Sequence, residues 1–246
     1  VRDEFLGLKS KDVDYVAVPN ETLLTQYKTA PEMFGVLTDY LRSENFEIFL
    51  ITEDCYTIRA KFPKNHKYQG VADFVMARKE IGYITGTRTP IVEPGTLFDD
   101  LQRRDFTLNA LAKDEDGTII DYFNGIEDLA QKILRTPVSA EQSFSDDPLR
   151  MMRAARFASQ LNFQLDAEVV EAMTNMSGRI SIISAERVRD EFVKLLMSPH
   201  PRIGITILVD TGIAEHVLPE IPKLRLEIDE HHHHKDVYEH SITVLE

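Results

Sequence analysis

A chain of 246 residues with 43% hydrophobic content can bury a sizeable core in one large or two modest globular domains. A formal charge of −13 excludes a surface that attracts nucleic acid everywhere, since phosphate contacts need Lys or Arg, so any RNA must meet a local basic patch. No apolar run approaches a membrane span and nothing resembles a secretory leader. Single Cys55, read as a small core residue, can form neither an internal disulfide nor a Cys-rich zinc site, which fits a reducing cytoplasm.

Lys11 to Val18 reads as a strand, and it carries Asp12 and Asp14 two residues apart. Strand side chains alternate, so both carboxylates share a face while Val13 takes the other. At roughly 7 Å two such charges repel by about 2 kcal/mol at an effective dielectric near 20. Either they are solvated aspartates on an open face, or a bound divalent cation neutralises them. Oxygen-only ligands at a strand end suit Mg²⁺, which fills its other positions with water and phosphate oxygens.

Met33, Val36, Leu37, Tyr40 and Leu41 recur at helical spacing within Pro31 to Glu44. Phe46 to Ile51, Tyr56 to Phe62 and Val71 to Arg78 read as strands, Gly82 to Pro94 as a loop, and Leu97 to Ala112 as a helix. The turn signal Lys113 to Gly117 precedes a strand at Thr118 to Phe123, predicting a hairpin packed on that helix. From Ser143 to Pro199 the pattern is helical, with segments near Pro148 to Gln160, Ala167 to Met176 and Ala185 to Met197. Asp147-Pro148 and Ser184 mark helix starts, the former with Pro at the first helical position, and Asp166 is a further cap. Ile203 to Val217 is a helix broken at Gly212, and Pro219 to Ile228 a loop or linker.

Arg150, Arg153 and Arg156 sweep an arc of about 120° on one side of their helix. Met151, Met152, Ala154, Ala155, Ala158 and Leu161 lie mainly opposite. One side therefore packs, and the other offers guanidinium forks either to nearby acids or to bases and phosphates.

Three stretches join the D-x-D in a fixed order: Val1-Arg2-Asp3 upstream, then Arg103-Arg104-Asp105-Phe106-Thr107-Leu108-Asn109-Ala110, then Asp147-Pro148-Leu149-Arg150 with Arg153 and Arg156. Together they resemble the class II tRNA nucleotidyltransferase and bacterial poly(A) polymerase family. In that family a Gly-Gly-x-Val-Arg-Asp motif precedes the acid pair, and R-R-D-F-T-x-N-A and D-P-x-R-x-x-R-x-x-R follow. The resemblance covers most of the chain, and the match from Arg103 to Ala112 is highly specific. The family's diglycine would lie just before Val1, and a helical pattern is beginning at Glu246, so the chain is expected to be truncated at both ends.

The resemblance implies an α+β chain. A polymerase-β-like nucleotidyltransferase head of mixed sheet and helices is expected at 1–137, an all-α neck at 138–200 and the start of a helical body or HD-type region at 201–246. It further implies template-independent addition of CCA to the 3′ end of tRNA from CTP and ATP, or poly(A), CC or A addition, in the cytoplasm, with no membrane and no protein partner. Asp12 and Asp14 would be catalytic and hold Mg²⁺. Arg2, Arg104, Arg153 and Arg156 would contact the nucleotide, while Asp147 and Arg150 would read the incoming base, one accepting and the other donating hydrogen bonds. Asp73 is a candidate third carboxylate. Asp105 and Asn109 are expected to be structural. A non-catalytic RNA- or nucleotide-binding module is the rival class. His231 to His234 and His240 resemble the start of an HD-type metal site, whose remaining ligands the chain does not include.

Overall fold

The computed structural model describes residues 1–9, 13–83, 90–226 and 237–246. Two stretches fold on cores of their own: Val1–Arg103 with Ala112–Tyr122, and Arg104–Leu111 with Phe123–Glu246.

In the first unit α1 (Arg2–Phe5) precedes β1 (Asp14–Ala17), α2 (Glu21–Gln26) and α3 (Ala30–Ser43). Thr29 and Glu32 form a capping box at the start of α3, with Pro31 in its first turn, so a reciprocal pair of bonds satisfies the helix's open donors. β2 (Glu47–Thr52), β3 (Thr57–Lys61) and β4 (Val71–Met76) follow. The sheet order is β1-β4-β3-β2, with β1 parallel to β4 and the other pairs antiparallel. This is a mixed sheet. Alternation in β4 buries Ala72, Phe74 and Met76 and leaves Val71, Asp73 and Val75 on the open face. The buried set packs with Ile58, Ala60, Met33, Phe34 and Leu41.

Gly82 to Pro94 departs from the expected loop. β5 (Arg78–Tyr83) pairs antiparallel with β6 (Pro90–Pro94), and both prolines of β6 occupy strand ends, where a missing N–H is tolerated. Residues 84–89 lie outside the described residues. α4 ends at Gln102 (Leu97–Gln102) instead of running to Ala112. Phe106 is extended at φ −135° and ψ 151°, and its N–H donates to Asp105 Oδ1 at 2.9 Å, a local side-chain bond that competes with helix. The hairpin of β7 (Leu111–Lys113) and β8 (Ile119–Asp121) forms around Gly117, at φ 88°. Cys55 is exposed, contrary to its core expectation, because it closes a short turn ahead of left-handed Tyr56.

The second unit contains α5 (Gly125–Gln131), β9 (Ile133–Leu134), α6 (Ala140–Asp146), α7 (Leu149–Leu161), β10 (Gln164–Leu165), α8 (Ala167–Met176) and α9 (Ala185–Leu196). α10 (Pro201–Asp210), α11 (Ile213–Val217), α12 (Glu220–Lys223) and α13 (Val237–Leu245) complete it. α7 is its central element: Met151, Met152, Ala154, Ala155 and Ala158 are fully buried. α10 approaches α7 so closely at Gly204 that a Cβ there would stand 2.8 Å from the Ala155 carbonyl oxygen and collide with Ser159 Oγ. Gly212, at φ 75°, separates α10 from α11 as its sequence position predicts. The expected linker after Pro219 instead begins with α12, followed by a 3₁₀ turn at Leu224–Leu226.

Candidate functional site

Each unit carries part of the predicted set. In the first, Asp12 lies outside the described residues, as do His231 to His234. Asp14 opens β1, is exposed, and is level with Asp73 in the parallel register. Neighbouring strands lie about 4.8 Å apart, and level residues share a face, so two carboxylates stand side by side on the open face of the sheet. Arg59 is level with Asp73 on the other flank. Its Nε and Nη2 each donate to one Asp73 oxygen at 2.7 Å, a bidentate fork. Those hydrogen bonds hold the Asp73 carboxyl below the usual carboxylate range, against the opposing effect of partial burial. The row therefore reads acid, acid, base.

The two carboxylates bring hard oxygen donors, the chemistry that suits a small divalent cation, and the Arg59 guanidinium beside them brings the opposite charge. The fork from Arg59 engages both Asp73 oxygens. Arg2 sits half-buried in α1, with Nη2 2.6 Å from Asp3 Oδ1.

In the second unit the arginines of α7 do not form one open face. Arg150 Nη1 donates to Ser143 Oγ at 2.8 Å, where Ser143 is fully buried in α6. Arg153 directs Nε and Nη2 to Asp105 Oδ2 at 2.9 and 2.5 Å. Arg156 is buried, donates from Nε to Glu191 Oε2 at 2.5 Å and from Nη1 to Gln160 at 2.6 Å, and stacks on Phe157. Burial lowers the Arg156 guanidinium from the ordinary arginine range, and Arg153's charge adds to this against the pull of Glu191. Helical periodicity orders these residues around an axis, but neighbouring segments decide which acids meet them.

Asp105 is buried, accepting also from Asn109 Nδ2 and the Phe106 N–H, each at 2.9 Å. Burial alone would raise its carboxyl; the Arg153 charge and these hydrogen bonds more than offset that and leave it lowered. Arg104, adjacent in sequence, is half-buried. Asp147 joins α6 to α7, its Oδ1 accepting from the Leu149 N–H at 3.1 Å and its Oδ2 lying 3.3 Å from Arg187 Nη2. It thus caps α7, although the helix begins at Leu149 and Pro148 takes the cap position in place of the first helical one.

Three participants escaped the sequence. Arg59 shows no signal until strand pairing brings it beside Asp73. Glu191 does leave a trace, an acid among Val188, Phe192 and Leu195 on the apolar stripe of α9. Arg187, one turn earlier, reads only as part of a helix start.

Residues 1–135, more than half of the chain, match the family described as poly A polymerase head domain. The chain belongs to that family. Beyond this polymerase head, residues 162–224 match a segment described as a probable RNA and SrmB-binding site of polymerase A. A CCA-adding enzyme of Lactobacillus johnsonii is 50% identical over 121 residues, which are 49% of this chain and 30% of that protein. One from Streptococcus gordonii is 42% identical over 135 residues, 55% of this chain and 34% of its own length. Among solved structures, the Bacillus stearothermophilus CCA-adding enzyme in complex with CTP superposes with a TM-score of 0.73 at 31% identity, covering 91% of this chain and 49% of the other. The polymerase-head chain thus spans about a third of the curated relatives' length and about half of that solved chain. Its α+β fold of mixed sheet and helices is that of the nucleotidyltransferase head in these enzymes. Among the described residues, no helix is long and apolar enough to cross a membrane.

Proposed function

We propose that this protein transfers nucleotides from CTP and ATP to the 3′ end of tRNA, building CCA and releasing pyrophosphate. The observation that carries the reading is Asp147 and Arg150 at the start of α7, an acceptor-only carboxylate three residues from a donor-only guanidinium. Cytosine and adenine both present an amino donor beside a ring-nitrogen acceptor, so this pair suits either base and rejects the reversed pattern of uracil and guanine. The names of the relatives support the same assignment.

Asp12 and Asp14 would hold a divalent cation, Mg²⁺ in this reading, since carboxylate oxygens at one strand end match its preference. When bound, the ion would supply charge stabilisation to the triphosphate and lower the pKa of the primer hydroxyl. Arg2 and Arg104 would meet the nucleotide's phosphates, and Arg153 and Arg156, each already engaged by an acid, would add positive potential while keeping α7 in place. Positioning and electrostatics of this kind account for most of the catalysis in phosphoryl transfer. The tRNA 3′ end would be met by local basic groups, because the chain as a whole is acidic.

Supplying the protein with tRNA lacking its terminal CCA, Mg²⁺ and labelled nucleotides tests the reading. Incorporation of C from CTP followed by a single A supports it. An extended A tail from ATP alone replaces it with poly(A) addition, and binding of tRNA without any incorporation replaces it with a non-catalytic module. Calorimetric titration of Mg²⁺ in the presence of a non-hydrolysable CTP analogue supplies a readout independent of turnover: Asp14→Asn is expected to weaken metal-dependent CTP binding at least tenfold, as loss of a charged ligand implies.

A further inference from the structure

Residues 55–72 contain Arg59, Lys61, Lys64 and Lys67 and neither Asp nor Glu, in a chain with 41 acids. Lys64 and Lys67 lie in the connection from β3 to β4, a compact loop over 62–70 whose ends meet where the Phe62 N–H donates to the Gly70 carbonyl at 3.0 Å. Further bonds hold its interior: the His66 N–H donates to the Pro63 carbonyl at 3.0 Å, the Tyr68 N–H to His66 Nδ1 at 3.1 Å, and Gln69 Nε2 to the His66 carbonyl at 2.7 Å. On its inner side His66 stacks on buried Phe62 with ring centres 4.7 Å apart, and the Tyr68 ring lies 5.9 Å from Phe62 and 6.1 Å from Tyr15. Its outer side is open. Tyr68 is 43% exposed, Lys67 Nζ stands 5.2 Å from the Tyr68 ring centre, and Lys64 is exposed beside them.

We propose that this loop is a contact for single-stranded RNA, in which Lys64 and Lys67 meet phosphates and Tyr68 offers its ring to an unpaired base. The inference rests on the proposed transfer to tRNA, and adds to it a place for the nucleotides behind the reacting 3′ end.

Three features carry it. Among the described residues no carboxylate pairs with Lys64 or Lys67, whereas Lys61, at the foot of the loop, has Glu47 Oε2 3.8 Å from its Nζ. In so acidic a chain, two such ammonium groups beside an exposed ring suit phosphate and base together: phosphate contacts supply affinity, and every base has a face to stack. The bonds within the loop then present these groups at little ordering cost. Finally, the loop returns into β4 at Val71, and Asp73, two residues on, is level with Asp14, so the patch and the carboxylate row share one end of the sheet.

An acidic protein surface would also meet the lysines, but it would gain nothing from the flat face of Tyr68. The aromatic ring therefore separates the two kinds of partner.

The test is binding of tRNA that carries CC but lacks the final A, measured over a series of salt concentrations, to the wild-type protein, the double variant Lys64→Ala with Lys67→Ala, Tyr68→Phe and Tyr68→Leu, alongside thermal unfolding of each. Removing both lysines should weaken binding and reduce the slope of log affinity against log salt by about 1.4, the share of two phosphate contacts on a single strand. Tyr68→Phe should bind as the wild type does. Tyr68→Leu, which keeps an apolar side chain against Phe62 but has no aromatic face, should bind about tenfold more weakly at an unchanged slope, the scale of one stacked base. A wild-type slope in the double variant overturns the inference and leaves nucleotide transfer standing. Wild-type affinity in Tyr68→Leu overturns it as well, since lysines alone would serve an acidic protein equally. A wild-type protein that does not bind this RNA at all overturns the proposed function itself.

Discussion

Arg156 Nε lies 2.5 Å from Glu191 Oε2, with the two side chains 9% and 5% exposed. A buried pair of this kind adds little relative to a well-packed apolar pair, but leaving one member alone strands a charge away from water. Glu191→Ala is accordingly expected to lower stability by about 3–5 kcal/mol, and the double replacement Arg156→Met with Glu191→Leu to recover most of that loss. Urea unfolding of the three proteins checks it; equal losses in the single and double variants would refute the stranded-charge account.

The approach of α10 to α7 makes a second prediction. At Gly204 a methyl group would enter space already held by Ser159, Leu195 and the Ala155 carbonyl, so Gly204→Ala should destabilise by about 1–3 kcal/mol. Exposed Gly35 in α3 has nothing within 4 Å of its would-be Cβ, and Gly35→Ala should stabilise by about 1 kcal/mol through helix propensity. Opposite shifts in melting temperature are the expected readout.

Asp105 supplies a pH dependence. Its folded carboxyl is lowered, so the folded state releases that proton more readily than the unfolded chain, whose Asp titrates near about 3.9. The resulting stabilisation is fully present above that value and is lost as pH falls through the lower folded one. As pH falls below about 4 the wild-type protein should lose stability more steeply than Asp105→Asn, even though the variant starts lower at neutral pH. Parallel slopes for the two would contradict this.

Arg59 and Asp73 make a local counterpart on the sheet. Replacing Arg59 with Met removes the fork that lowers the Asp73 carboxyl, so that carboxyl should rise toward the ordinary aspartate range, as read by carboxyl-carbon NMR titration. Stability should change by less than about 1 kcal/mol, because the arginine is largely solvated. In the proposed site, Asp73 released from Arg59 becomes available to a cation, and tighter Mg²⁺ binding in Arg59→Met would identify it as a latent third ligand.

What the sequence determined by itself is whatever depends on short-range pattern. Alternation in Val71 to Met76 and helical spacing in Pro31 to Glu44 and Pro148 to Gln160 predict elements that the structure contains, and the ordered motifs identify the family. The failures are local as well: Asp105 bonding to its own neighbours ended a helix that the apolar spacing of Leu97 to Ala112 extended, and two prolines disguised β6 as loop. Tertiary structure alone decided partners. Arg150, Arg153 and Arg156 are equivalent by periodicity, yet one meets a serine, one the Asp105 of a distant motif and one a glutamate of α9. Periodicity specifies the direction of a side chain about its own axis, whereas the charge waiting there belongs to another segment, placed only when the chain has packed.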